Sequence, residues 1–159
     1  MVFRITTDQM QAAPIPDDRF AEWFCHELLM NERPDFWVDL GPEICLSYTI
    51  TGRRYAEHFG IRRPDLQAQY VMLMWQLAPN LHETPGFKEI LQSRLPEVDK
   101  VEALWSVDEA VANEAIARAD MLHWTPEEVP GNVLGIEVED LSELYAQFPF
   151  LQPQGRGGN

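Results

Sequence analysis

Basic side chains are scarce in this chain: 12 lysines and arginines stand against 26 aspartates and glutamates, a formal net charge of -14. Basic patches that neutralise phosphates supply most nucleic-acid affinity, so no nucleic-acid partner is expected. Cysteine is scarcer still. Cys25 and Cys45 form no Cys-x-x-Cys pair and sit inside apolar helical patterns. Neither a zinc site nor a disulfide framework is suggested, and both read as buried thiols in a reducing compartment. Long apolar runs are missing as well: none approaches the roughly 20 residues of a membrane span. The opening MVFRITTDQMQAAPIPDDRF lacks the uninterrupted apolar stretch of a secretion signal. No membrane partner is expected, and the expected location is the cytoplasm.

Sequence signatures of catalysis are also lacking. Neither Gly-x-x-x-x-Gly-Lys-Ser/Thr nor Gly-x-Gly-x-x-Gly occurs, which removes the common phosphate cradles. His82-Glu83 begins like a zinc-peptidase motif, but the second histidine four residues on is missing and Pro85 would break the helix that the motif needs. Glu127-Glu128 and Glu137-x-Glu139 lack the spacing of a calcium loop. Cys25 and His26 are adjacent, so on a helix they point about 100° apart and cannot pair as nucleophile and base. No catalytic residue, metal ligand or cofactor is expected.

What is present is apolar periodicity. The chain has 159 residues and 45% hydrophobic content, enough for one domain with its own core. The reading is mainly α: a single-domain helical bundle over 1–150 with about five main helices, then a disordered tail over 151–159. Phe20, Trp23, Phe24 and Leu28 recur at helical spacing from Asp17 to Met30, with Asp17 or Asp18 as the cap. Residues 31–39 read as a loop or short helical turn. Pro42 starts a second helix that Gly60 ends, and its mid-helix Gly52 implies close approach of another helix. Pro64 starts a third, apolar nearly all round from Val71 to Leu77, hence buried on more than one side. The second and third form a hairpin. Thr84-Pro85 opens a fourth, Val98 to Trp105 makes an amphipathic turn or two, and Ser106 with Glu109 makes a capping box for a fifth reaching Asp120, with Val107, Val111, Ala115 and Ile116 inward. A last short helix follows Asp140, and short strands or extended segments are expected near 2–6 and 132–138.

Charge is unevenly placed along these elements. Between Glu97 and Glu143 the only bases are Lys100 and Arg118, so the second half is strongly acidic. Arg53, Arg54, Arg62 and Arg63 flank the turn at Gly60 as a basic corner, with an Arg53 to Glu57 pair at i, i+4 expected on the helix. The candidate partner-binding residues are therefore Arg53, Arg54, Arg62 and Arg63 on one side, and Asp108, Glu109, Glu127 and Glu128 on the other. A solvated face is the plain alternative for both, and the arginines with His58 also suit a small-anion site at the start of the third helix.

Two stretches carry a resemblance. FRITTDQM at Phe3 to Met10 is one, and the other is Ile50, Gly52, Tyr55, Ala56, Phe59-Gly60-Ile61, Asp65, Tyr70, Leu73, Met74, Pro79 and Pro85. Together they resemble small helical accessory proteins encoded beside type VI secretion effectors, which read RIT-x-x-QM, then Ile-x-x-Gly-x-x-x-Ala-x-x-Tyr-Gly-Ile, then Tyr-x-x-Leu-Met. Phe59 stands where that family has tyrosine, one residue and not two separates Ile50 from Gly52, and Leu77-Ala78-Pro79 stands where a glycine-containing turn is common. The likeness covers roughly the first 90 residues and includes no catalytic residue. It implies a non-enzymatic co-chaperone or adaptor whose partner is an effector or its loading chaperone. An immunity protein that neutralises a toxin is the alternative, and a small-anion-binding protein or enzyme using the arginine corner is the second.

Overall fold

Proline at the first helical position and glycine just past the last set the frame of the central elements. In the computed structural model, which describes residues 15–128, Pro42 opens α4 (Pro42–His58) and Pro64 opens α5 (Pro64–Gln76). Between them Gly60 takes φ +83°, and the N–H groups of Gly60 and Ile61 donate back to Glu57 O at 3.0 Å and Ala56 O at 2.9 Å. This is a Schellman stop, which satisfies the last carbonyls of α4 and turns the chain into α5.

The first helix is one rod with a changed pitch. α1 (Asp17–Trp23) passes into a π-helical stretch (Phe24–Leu29) and then α2 (Met30–Glu32). The widened turn rotates the inward set, so Phe24, Cys25 and Leu29 are buried while Leu28 is only half-buried. The expected Asp17 or Asp18 cap is not formed: Pro16 holds the cap position without a side-chain bond, because the Asp17 carboxylate is drawn to Arg53 and Arg54.

Within residues 31–39, expected as a loop or short helical turn, the chain is helical: α3 spans Pro34–Leu40. A 3-10 turn (Leu81–Glu83) leads to α6 (Phe87–Gln92), which starts later than Thr84-Pro85; its opening N–H at Gly86 donates to the Glu89 carboxylate. α7 (Glu97–Trp105) and α8 (Glu109–Ala117) follow. No Ser106–Glu109 capping box exists. Ser106 Oγ donates instead to Glu102 O at 2.8 Å within α7, Asp108 takes the cap position, and α8 stops at Ala117 with Ile116 half-exposed. Two 3-10 turns (Met121–Trp124 and Pro126–Glu128) end the described chain.

The described residues are mainly helical, contain no strand, and include no helix long and apolar enough to cross a membrane. The strands expected near 2–6 and 132–138, the helix after Asp140 and the tail lie outside the described residues.

α5 is the centre of the bundle, buried from Leu66 to Trp75 except at Gln69 and packed against both α4 and α7. α4 in turn receives α1, α3 and the 121–124 turn. At the α4–α5 crossing a Cβ built on Gly52 would lie 3.0 and 3.1 Å from the Val71 methyl carbons and 3.4 Å from Met74 Sδ. Glycine is there for proximity. From α7, buried Lys100 donates through Nζ to Phe59 O at 2.9 Å and Leu91 O at 3.2 Å, closing the ends of α4 and α6 together.

Both thiols are buried in this core. Burial pushes Cys25 up to about 12, against a hydrogen bond with Thr49, and pushes Cys45 up to about 12 as well. An unfolded thiol titrates near 8.5. The protonated folded thiols therefore contribute stability that is complete below that value and is lost as pH climbs from there toward 12. A thiol-specific disulfide reagent near pH 8 is expected to modify neither cysteine in the folded chain and both in concentrated guanidinium; rapid labelling of the folded chain would contradict the packing. Gly52→Leu is expected to destabilise by about 3 kcal/mol through overpacking against Val71. Urea denaturation checks it, and a midpoint equal to that of the unsubstituted chain would show the contact to be loose.

Candidate functional site

The four arginines start from two helix ends, and packing sends them different ways. Arg53 points inward from α4 and is 6% exposed. It donates to Gln67 Oε1 at 2.8 Å, Ile15 O at 2.7 Å and Asp17 Oδ1 at 3.0 Å, and its guanidinium lies 4.5 Å from the Phe20 ring centre. Burial pulls its pKa down, and the carboxylates of Asp17 and Glu57 oppose that shift. Its close carboxylate partner is Asp17 and not the expected Glu57. Arg54 pairs with the other Asp17 oxygen at 2.7 Å. Arg63 grips Asp65 through two nitrogens, and the backbone N–H groups of Arg62 and Arg63 both donate to Glu97 Oε1 at 2.9 Å.

The start of α5 is thus already supplied with carboxylates. Among the described residues, only Arg62 of the four lacks a carboxylate partner for its side chain. The basic corner is largely a set of internal ties, and a small anion would have to displace them.

The acidic residues fall on the outside. Asp108 and Glu109 are exposed where α8 begins, and Glu127 is exposed in the last 3-10 turn. The backbone of Glu128 closes that turn; its side chain lies outside the described residues. Glu114 reaches Arg118 at 3.5 Å. Three large aliphatic side chains stand among these acids: Ile116 (50% exposed), Met121 (53%) and Leu122 (46%). An open groove of about 450 Å³ lies elsewhere, over α1, bordered by Arg19, Trp23, His26 and Glu27.

A second grouping was not legible along the chain. His82 and His123 are far apart in sequence, yet their rings meet edge to face at 5.6 Å. Glu83 joins them, with Oε2 at 3.5 Å from His123 Nε2, and one donor atom from each of the three lies within 4.8 Å of the others. Asp120 Oδ2 stands 3.7 Å from His123 Nδ1. The fold brings the group together through Trp124, which stacks on Tyr48 at 5.1 Å and lies 4.8 Å from Trp75, and through Tyr55, whose hydroxyl donates to His123 O at 2.9 Å.

Tyr55 and Phe59 flank the His82 ring at 5.2 and 5.5 Å. Burial in this aromatic slot pushes His82 down to about 4, with Glu83 acting the other way, so its imidazole is neutral at physiological pH. Two imidazoles and a carboxylate, one imidazole held neutral, make a donor set for a borderline-soft cation. The local signals are a histidine followed by an acid at His82-Glu83, and an acid three residues before His123; neither is specific by itself.

No family model, curated protein or solved structure matches this chain, so the likeness to type VI accessory proteins rests on the residues quoted for it. Most of those in the second stretch, including Ile50, Gly52, Tyr55, Ala56, Ile61, Tyr70, Leu73 and Met74, are buried in the α4–α5 hairpin and its turn. They specify packing.

Arg53→Ala is expected to destabilise the fold by about 3 kcal/mol, as breaking a buried pair does. Arg62→Ala is expected to change it by under about 0.5 kcal/mol, as exposed substitutions do. Chemical denaturation of both variants checks this, and equal effects would contradict the division of the corner into buried and free parts.

Proposed function

We propose that this chain is a non-enzymatic, protein-binding accessory protein of a bacterial type VI secretion system, acting as co-chaperone or adaptor for an effector. The observation that carries the binding part is the exposed stretch from α8 to the 121–124 turn. Ile116, Met121 and Leu122 stand in water there, with Asp108, Glu109, Glu114 and Asp120 exposed on the same segment. Exposed aliphatic side chains that alternate with acids along one segment favour a partner that presents both apolar and basic side chains. The secretion context comes from the sequence likeness, which supplies no reaction.

The arginines offer little to the anion-binding alternative, since Arg53, Arg54 and Arg63 are already paired with carboxylates. The surface reading gives the acids the role of steering encounter and the aliphatics the role of holding the complex.

The test uses the tagged chain in a cell that expresses it natively, with recovery of an effector or a loading chaperone encoded beside it as the readout. Capture of either is expected at low and moderate salt, weakening as salt rises because exposed charges are screened. The double variant Asp108→Lys, Glu109→Lys is expected to reduce affinity about tenfold, roughly 1.4 kcal/mol. Capture of neither would overturn the adaptor reading, and growth rescue of a sensitive host that expresses the effector would assign immunity instead.

A further inference from the structure

The geometry points to a binding site for one divalent transition metal of the zinc type, with His82, Glu83 and His123 as its protein ligands. Sequence spacing gives no specific signal for it, because the two histidines come from separate 3-10 turns about forty residues apart. The donor atoms converge within 4.8 Å. A tetrahedral zinc site with bonds of about 2.0–2.1 Å separates its ligand atoms by about 3.3 Å, so binding needs a contraction on the order of 1 Å. Glu83 can supply it, since its side chain is 51% exposed and rotates in water, while His82 and His123 form the buried floor.

The independent sign that something is missing from this floor lies in the imidazoles. His82 and His123 are both more than nine-tenths buried, and Nδ1 of each is shielded from water without a hydrogen-bond partner. Buried polar atoms are normally satisfied; Asp120 stands 3.7 Å from His123 Nδ1, so the unmatched Nδ1 of His82 is the atom that marks a place where a ligand belongs. The donor chemistry selects that ligand. Two imidazole nitrogens with one carboxylate suit zinc and its neighbours, whereas calcium and magnesium take all-oxygen shells.

Supporting residues are in place around the three ligands. Asp120 sits 3.7 Å behind His123 Nδ1, as the outer carboxylate of a metal-bound histidine does, leaving Nε2 toward Glu83. Asn80 organises both sides: Nδ2 donates to Glu83 Oε1 at 3.2 Å and to Arg118 O at 3.0 Å, and Oδ1 accepts from Asp120 N at 2.9 Å. Three protein ligands leave one position for water on the solvent side. The ion clips the 121–124 turn to the end of the α4–α5 hairpin, and thereby fixes the segment on which Met121 and Leu122 face outward.

The experiment takes the untagged full-length chain, because a histidine tag would bind metal itself, and titrates Zn²⁺ alone against a chromophoric chelator. One equivalent is expected to bind, the melting temperature is expected to rise with zinc, and Co²⁺ is expected to give the intense visible bands of a four-coordinate site. Glu83→Gln, at an exposed position, is expected to weaken binding at least tenfold with unchanged circular dichroism; His123→Ala is expected to abolish it. His26→Ala is the control and is expected to bind as the parent chain does.

Failure to bind zinc more tightly than about 100 μM, about -5.5 kcal/mol, would overturn the site. So would undiminished affinity in Glu83→Gln and His123→Ala, or loss of binding in His26→Ala. Because the readout is zinc on the isolated chain, it stands or falls separately from capture of a secretion partner.

Discussion

The close approach of α4 to α5 is the constraint from which the rest of the molecule follows. With glycine at position 52, the backbone of α4 can lie against Val71 and Met74, and a side chain there would hold the helices apart. Every cross-link of the hairpin depends on that separation. Trp75 Nε1 reaches Thr49 Oγ1 at 3.3 Å, Arg53 reaches Gln67, and Gln67 Nε2 reaches Ile61 O at 3.0 Å. These are short polar contacts in a buried layer, where an added Å would leave each donor unmatched and costly. The aromatic stack of Tyr48, Trp75 and Trp124 is spread across the same two helices and then holds the 121–124 turn.

Polar groups inside the bundle mostly act as joints between elements. Arg53 ties α4 to the start of α1 and to α5, Lys100 ties α7 to the ends of α4 and α6, and Asn80 ties the turn after α5 to residues 118–120. Each is matched to oxygens of defined position, so each helps to select one arrangement of helices among those that apolar packing alone would allow. His82 and His123, like Tyr70 and Asp18, depart from that pattern. They are buried as deeply as these joints, and their Nδ1 atoms lack the partner that burial normally demands. What gives the histidine cluster its weight is that both imidazoles and the Glu83 carboxylate converge in one place.

Helix content, the α4–α5 hairpin, its proline starts, its glycine stop and the tight crossing at Gly52 were all legible in the sequence, because each is written in residues close together along the chain. The misplacements share a different cause. Local spacing offers Asp17 or Asp18 as a cap, yet Asp17 serves as an ion-pair partner of two arginines from α4. Ser106 has the spacing for half of a capping box and bonds the preceding helix instead. The basic corner was legible as four nearby arginines, but whether a guanidinium faces water or a buried carboxylate depends on which side of α4 meets α1. The exposure of Ile116, expected inward, likewise depends on where α8 stops and what it rests on.

From its residues alone, the chain determined that it would be mainly helical, strongly acidic in its second half, and built around two apolar helices joined at Gly60, because periodicity, net charge and backbone stereochemistry are local or additive properties. Only the tertiary structure decided that Arg53 is interior, that Met121 and Leu122 are outward, and that His82, Glu83 and His123 meet. Those outcomes need the chain to return on itself across many residues, and the return is set by the packing of Trp124 and Tyr55 against the hairpin, a three-dimensional fit that no spacing along the sequence encodes.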